Sequence, residues 1–131
     1  MVTGAARRSE RFDNPVAEVL IVDDEPDVRF VLRIAFEAAG HRIVEAHHGV
    51  AALERVMKSR PDLVITDVMM PVLGGIGLIR RLRSDPETAA IPIVILSSRP
   101  AAASDADAAL VKPFRAHEVL ATGLSLIKRE G

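Results

Sequence analysis

The stretch VLIVDDEPDVRFVLRIAFEAAG, residues 19–40, contains one complete strand-and-helix unit. Its first four residues form a continuous apolar run, which is typical of a strand covered on both faces. Pro26 suits the first turn of a helix, and Gly40 suits the position just past its end. The stretch therefore predicts a buried β-strand that leads directly into an amphipathic helix. Its apolar residues at helical spacing are Val28, Val31, Leu32, Ala35 and Phe36.

The same alternation continues along the rest of the chain. Because the apolar runs are continuous, helices are expected on both faces of a parallel sheet. The fold class is therefore predicted as α/β, with a doubly wound five-stranded parallel sheet. The other strands are predicted at 41–46, 62–66, 92–96 and 108–111. The other helices are predicted at 49–59, from the loop after Asp67 to Ser84, and at 115–128.

Length and composition limit the classes of function. The chain has 131 residues, 49% of them apolar, so one domain is expected at 17–131 after a flexible tail at 1–16. A net charge of −1 with dispersed basic residues gives no footprint for nucleic acid. The sequence has no cysteine, and no apolar run is long enough for a membrane span or a signal peptide. A cytoplasmic protein without nucleic-acid or membrane partners is expected.

Polar side chains stand where the predicted strands end. In a parallel sheet these ends lie at one edge, and ligands bind there at the point where the strand order reverses. Three carboxylates, a hydroxyl and an ammonium are therefore expected to converge, although they are far apart in sequence. They belong to Asp23 and Asp24 after the first strand, Asp67 after the third, Ser97 after the fourth and Lys112 after the fifth.

Such a cluster needs compensating positive charge, because clustered carboxylates repel one another and hold protons more tightly. Oxygen ligands without nearby His or Cys favour Mg²⁺ or Mn²⁺. Lys112 supplies a second positive charge suited to a phosphate, and the hydroxyl of Ser97 could help to hold its oxygens. The arrangement suits transfer of a phosphoryl group to a carboxylate nucleophile.

Each residue also has an ordinary structural interpretation. Asp23 and Asp24 could cap the following helix, Asp67 could form an Asx-turn, and Lys112 could be a solvated surface residue. The combination at one edge of the sheet favours a functional site. The four histidines share no metal-binding spacing and are expected at the surface: His41, His47, His48 and His117.

Four segments together resemble the receiver domain of bacterial response regulators: VLIVDDEPDVR, DLVITDVMMPVLGG, IPIVILSS and ALVKPF. The resemblance covers about residues 17–129 and implies a flavodoxin-like sheet of order 2-1-3-4-5. It implies that Asp67 is a phosphoacceptor that receives its phosphoryl group from a phosphohistidine. Since no output domain follows residue 129, a stand-alone two-component signalling receiver is expected, not an enzyme acting on other substrates.

The resemblance also implies a role for each residue at this edge. Lys112 and Ser97 would bind the phosphoryl oxygens. The implied ligands of Mg²⁺ (or Mn²⁺) are Asp24, Asp67, Asp23 mainly through water, and the backbone carbonyl of Met69. Three further positions match the family's acceptor loop and its cis-proline: Pro71, Gly75 and Pro113. The implied partners are a sensor histidine kinase or a histidine phosphotransfer protein, an unknown downstream protein, and a second copy of the chain in a homodimer.

Two departures from the family concern its output surface. The segment between the fourth and fifth strands must cross back over a five-residue strand, which is a distance of about 16 Å. A helix of eight residues in this short segment would span only about 12 Å. The family's fourth helix, between the fourth and fifth strands, is therefore predicted to be shortened or missing. In addition, Ala109 stands where the family usually has an aromatic residue. An atypical output is predicted, such as a shift from order to disorder at 99–107 on phosphorylation.

Three other interpretations stay open at this stage. The chain could be a receiver-like interaction module that works without phosphorylation. It could also be a phosphatase with an aspartate nucleophile, although no general acid or cap is evident. Finally, it could be a fragment of a larger regulator.

Overall fold

The computed structural model describes residues 16–70, 72–98 and 105–130, without the side chains of 128–130. Among the described residues strands and helices alternate as predicted, and the connection between the last two strands includes residues 99–104, which lie outside the described part of the chain. The strands are β1 (Glu18–Val22), β2 (Arg42–Ala46), β3 (Leu63–Asp67), β4 (Ile93–Ser97) and β5 (Ala108–Val111). The helices are α1 (Pro26–Ala38), α2 (Gly49–Lys58), α3 (Gly75–Ser84) and α4 (Ala116–Glu130). In the described part of the chain no helix is long and apolar enough to cross a membrane.

The five strands form one parallel sheet in the order β2-β1-β3-β4-β5. This confirms the predicted fold class and strand order. The chain winds from β1 outward to β2, and then returns to the other side of β1 to form β3. The strand order therefore reverses between β1 and β3, and the loops after these two strands leave the sheet side by side.

Apolar residues on both faces of the sheet hold the two helical layers. The helices α2 and α3 cover one face, where Ala52, Val56 and Leu78 pack on the strands. The helices α1 and α4 cover the other face through Leu32, Phe36 and Val119. Both faces are thus buried, which accounts for continuous apolar runs in the strands.

β3 and β4 each reach one residue further than predicted. Asp67 pairs with Leu96 in the ladder, and the amide of Val68 donates to the carbonyl of Leu96 at 3.1 Å. Ser97 pairs with Val111 in the same way. Pairing with a neighbouring strand extends both strands past the end of the apolar run, so Asp67 and Ser97 are held as strand residues.

The connection between β4 and β5 is only partly described. The prediction of a shortened or irregular segment at 99–107 falls mostly on residues outside the described part of the chain. Of the residues described there, none is helical. The end of the connection is fixed by Arg83 of α3, which donates to the Asp105 carbonyl at 3.0 Å and to the Asp107 carboxylate at 2.9 Å.

We predict that Phe36 carries much of the stability of the α1 layer. Its side chain is fully buried, whereas Phe30 on the same helix is 61% exposed. Phe36→Ala should lower the free energy of unfolding by about 3–5 kcal/mol, because it removes buried apolar area and leaves a cavity. Phe30→Ala is the matched control and should change it by no more than about 0.5 kcal/mol. Urea unfolding followed by circular dichroism measures both, and equal losses would contradict the prediction.

Candidate functional site

Three carboxylates meet at the edge of the sheet where the strand order reverses. Asp23 and Asp24 follow β1, and Asp67 is the last residue of β3. Each offers one oxygen, and these three oxygens lie within 4.8 Å of one another. The predicted convergence of these residues is thus found in the structure.

The three carboxylates differ in their access to solvent. Asp23 is fully buried and Asp67 is 6% exposed, whereas Asp24 lies at the surface. A ligand arriving from solvent would therefore meet Asp24 at the rim, with the other two carboxylates behind it.

The ammonium of Lys112 lies among these carboxylates. Its Nζ atom is 3.0 Å from Oδ1 of Asp67 and 3.4 Å from Oδ2 of Asp23. It also lies 3.7 Å from Oε1 of Glu25, a residue that the sequence did not indicate. A single cation thus faces two buried carboxylates and one exposed carboxylate.

Burial is the main influence on the pKa values of the two buried aspartates. It raises the pKa of the Asp67 carboxyl above its ordinary value, although contact with Lys112 acts against the shift. Burial also raises the pKa of Asp23, and the nearby charge of Asp67 adds to the shift. Burial alone would lower the pKa of Lys112, but its hydrogen bond to Asp67 and the charges of both aspartates raise it. The lysine therefore stays charged, while Asp23 and Asp67 are more easily protonated than ordinary aspartates.

Backbone contacts fix Asp23 in place. Its amide donates to the carbonyl of Ala46 at 3.1 Å, which extends the pairing of β1 with β2. Its Oδ1 accepts from the amide of Glu25 at 2.9 Å. Its carbonyl accepts from Nη1 of Arg29, in α1, at 2.6 Å. Sequence reasoning missed Arg29, because an arginine in a helix carries no local signal of such a contact.

Close packing brings the start of α3 against the end of β3. The amide of Gly75 donates to the carbonyl of Val68 at 2.9 Å. A Cβ atom added at Gly75 would lie 2.2 Å from the carbonyl oxygen of Asp67. Only glycine leaves room for this approach, so Gly75 keeps the helix directly beside Asp67.

The other predicted site residues have different outcomes. Ser97 is buried at the end of β4, and its carbonyl accepts from the amide of Lys112 at 2.6 Å. The peptide bond between Lys112 and Pro113 is cis, as the resemblance implied. Met69 has an exposed side chain, and the role of its carbonyl stays a prediction. Pro71 lies outside the described residues.

Surface positions were predicted for all four histidines, but two of them, His41 and His48, make structural contacts. Nδ1 of His48 accepts from the amide of Ala51 at 3.0 Å and so caps α2. Nδ1 of His41 accepts from the amide of Ala17 at 3.0 Å, and burial lowers the pKa of this half-buried histidine. Neither belongs to the carboxylate cluster.

The carboxylate cluster fits a small divalent cation. All its donors are oxygens, and three carboxylates close together leave more negative charge than one lysine can balance. Mg²⁺ is typically held by one or two carboxylates together with water and phosphate oxygens. The residues present therefore fit Mg²⁺ or Mn²⁺, with Asp23, Asp24 and Asp67 as the available ligands.

Curated relatives are similar to this chain over most of its length. The sensor histidine kinase TmoS of Ectopseudomonas mendocina is 36% identical, over 95% of this chain and 13% of that protein. The response regulator MprA of Mycobacterium ulcerans is 38% identical, over 85% of this chain and 50% of that protein. The chain therefore spans half or less of the length of these relatives.

Solved structures share the fold. The chemotaxis response regulator CheY4 of Vibrio cholerae is 31% identical with a TM-score of 0.79, over 86% of this chain and 99% of that chain. The receiver domain of the Francisella response regulator 1452 is 30% identical with a TM-score of 0.81, over 88% of this chain and 99% of that chain. The family model described as the response regulator receiver domain matches residues 19–122. The chain belongs to the response regulator receiver domain family.

Proposed function

We propose that this chain is a phosphoacceptor that takes a phosphoryl group from a phosphohistidine onto Asp67. The observation that supports this most is the position of Asp67, whose Oδ1 lies 3.0 Å from Nζ of Lys112 inside the carboxylate cluster. A carboxylate beside a fixed cation is suited to attack a phosphoryl group, because the cation offsets the negative charge of the incoming oxygens. The chain would catalyse only its own phosphorylation and dephosphorylation.

The proposed step forms one bond and breaks one. A carboxylate oxygen of Asp67 attacks phosphorus, and the bond from phosphorus to the imidazole nitrogen of the donor breaks. The nitrogen keeps the electron pair and is free to take a proton. Lys112 would stay beside the transferred group, and the buried hydroxyl-bearing residue Ser97, at the end of the adjacent strand β4, is proposed to bind it.

Asp23, Asp24 and Asp67 would hold Mg²⁺, which would supply positive charge that reduces the repulsion between the carboxylates and an incoming phosphoryl group. The chain's own contribution is the placement of its ligands. Asp24 is exposed at the rim, and Asp23 is buried behind it with its backbone hydrogen-bonded on both sides. We propose that the Met69 carbonyl, two residues after Asp67, adds a further ligand.

We propose a sensor histidine kinase or a histidine phosphotransfer protein as the phosphodonor. The sensor histidine kinase TmoS, which matches this chain over 13% of its own length, supports this class of partner. The downstream protein and a homodimer remain proposals from the resemblance alone, and the cytoplasmic location stays a prediction.

One alternative is an interaction module that no longer depends on phosphate. The surface around β5, where the family's output is expected, supports this alternative, because Ala109 contributes only a methyl group to the exposed face of β5. Phosphorylation chemistry would separate the two functions, since the module would keep its fold without becoming modified. Turnover of a phosphomonoester panel would expose the third possibility, a phosphatase acting on other substrates.

We expect Asp67 to become phosphorylated when the chain is incubated with Mg²⁺ and a small phosphodonor such as acetyl phosphate. Intact mass should rise by one phosphoryl group per chain, and peptide mapping should place it on Asp67. Asp67→Ala should abolish the gain, as should chelation of the metal.

Asp27→Asn is the matched control for this experiment. Asp27 is an exposed carboxylate in the first turn of α1, close in sequence to the site, and it should be dispensable. A chain that gains no phosphoryl group, or gains it equally in Asp67→Ala, would contradict the proposed function.

We predict that Asp23 lowers the stability of the metal-free protein in exchange for binding Mg²⁺. The pKa of Asp23 is raised in the folded state. Asp23 therefore stabilises the fold at pH values below its unfolded pKa, and this stabilisation is lost as pH rises through its folded pKa. At neutral pH Asp23→Asn should therefore raise the melting temperature without Mg²⁺. The difference should shrink as the pH is lowered towards the ordinary aspartate range.

Adding Mg²⁺ should reverse the order of the two proteins. At a concentration 100 times its dissociation constant, Mg²⁺ should stabilise the wild type by about 2.7 kcal/mol and the variant by much less. Asp24→Asn is the control, because this exposed carboxylate should affect Mg²⁺ binding but hardly the metal-free stability. A metal-free Asp23→Asn protein that melts below the wild type at neutral pH would count against this account.

We also expect the output of phosphorylation to involve the start of β5. Arg83 holds this segment through Asp105 and Asp107, and Ala109 supplies no bulky side chain to carry a change. With a beryllofluoride phosphoryl mimic, amide hydrogen exchange at 105–110 should become faster, as expected for a shift from order to disorder. Exchange in β2, at the opposite edge, is the internal control. Unchanged or slower exchange at 105–110 would contradict this expectation.

A further inference from the structure

Arg29 connects α1 to the carboxyl ends of both β1 and β2 at the site. Its Nη1 donates to the carbonyl of Asp23 at 2.6 Å, and its Nε donates to Oε1 of Glu45 at 2.8 Å. Glu45 lies in β2, next to Ala46, whose carbonyl accepts from the amide of Asp23. The side chain of Arg29 is only 19% exposed. One guanidinium thus holds the carbonyl of Asp23 against the strand that holds its amide.

The carbonyl of Asp23 and the amide of Asp24 belong to the same planar peptide unit. Fixing this carbonyl therefore fixes the plane from which the Asp24 backbone continues. The two carboxylates point into one cluster although one is buried and the other exposed. A peptide unit free to rotate would change the angle between them.

A second arginine holds Glu45 but does not touch the site. Nε of Arg33 donates to Oε2 of Glu45 at 2.6 Å, and its Nη1 donates to Glu37 at 2.7 Å. Both arginines lower the pKa of Glu45 against the effect of its burial, so this carboxylate stays charged. Glu45 is thus a fixed anchor for the guanidinium of Arg29.

We propose that Arg29, anchored by Glu45, is a positioning residue that orients the Asp23–Asp24 peptide unit for Mg²⁺ binding. This inference rests on the proposed function, since it assumes that the carboxylate cluster binds the metal. Mutation of a residue that orients a metal ligand without being one itself typically lowers metal affinity by about 10- to 100-fold.

Charge and positioning predict opposite effects of removing Arg29. A cation close to a metal site repels the metal, so its loss should strengthen Mg²⁺ binding if charge alone matters. If Arg29 positions the ligands, its loss should weaken binding. The direction of the change in affinity therefore separates the two roles.

The test is the Mg²⁺ dissociation constant of Arg29→Gln, measured without phosphodonor by NMR titration of backbone amides at constant ionic strength. We expect the constant to rise about tenfold. Arg33→Gln is the matched control, because it removes an arginine from the same helix and the same glutamate without touching Asp23. Its dissociation constant should stay within about twofold of the wild type, well below the effect of losing a positioning residue. Melting temperatures of both variants show whether lost stability accounts for the result.

Arg29→Lys should fall between the wild type and Arg29→Gln, because lysine keeps the charge but has a single ammonium instead of a fork. If Arg29→Gln does not fold, Arg29→Lys decides with the same measurement, and an affinity equal to that of the wild type overturns the inference. Binding by Arg29→Gln that is as tight as wild type or tighter also overturns it, as does an equal loss in Arg33→Gln. A wild-type chain that binds no Mg²⁺ would instead overturn the proposed function and this inference with it.

Discussion

The contact between one ammonium and two buried carboxylates sets the conditions for everything else at this edge of the sheet. Lys112 faces Asp67 at 3.0 Å and Asp23 at 3.4 Å, and it cannot neutralise both together with the exposed Asp24. Burial raises the pKa of both buried aspartates, which makes the metal-free cluster unfavourable when it is charged. A divalent cation and then a phosphoryl group would change this balance, so the cluster is suited to respond to both.

The fold holds this unfavourable cluster together through backbone contacts. Asp67 is the last paired residue of β3, and Ser97 is the last of β4, so neither position can move without loss of strand pairing. Gly75 lets α3 begin directly beside Asp67. The amide of Lys112 is tied to the carbonyl of Ser97 at 2.6 Å. The candidate site residues are thus extensions of the sheet, and Lys112 follows β5 directly.

Much of the fold was predictable from the sequence, because continuous apolar strands and periodic helices leave few alternatives to a doubly wound sheet. The main site residues were predictable because parallel strands place their ends at one edge. Arg29 and Glu25 were not, since their contacts depend on how α1 sits on β2 and on where Lys112 reaches. The capping role of His48 was missed for the same reason. The prediction for 99–107 depends mostly on residues that the structure does not describe.

The most direct test of this account is a pH titration of the side-chain carboxyl ¹³C signals of Asp23 and Asp67, without and with Mg²⁺. Without the metal, both carboxyls should titrate at a higher pH than ordinary aspartates, because they are buried beside one another. With Mg²⁺, both should titrate at a lower pH than in its absence, because the cation favours their charged forms. The central claim is that this edge of the sheet holds more negative charge than Lys112 balances and can therefore bind a cation. Titration of both carboxyls at the pH of ordinary aspartates, unchanged by Mg²⁺, would contradict this claim.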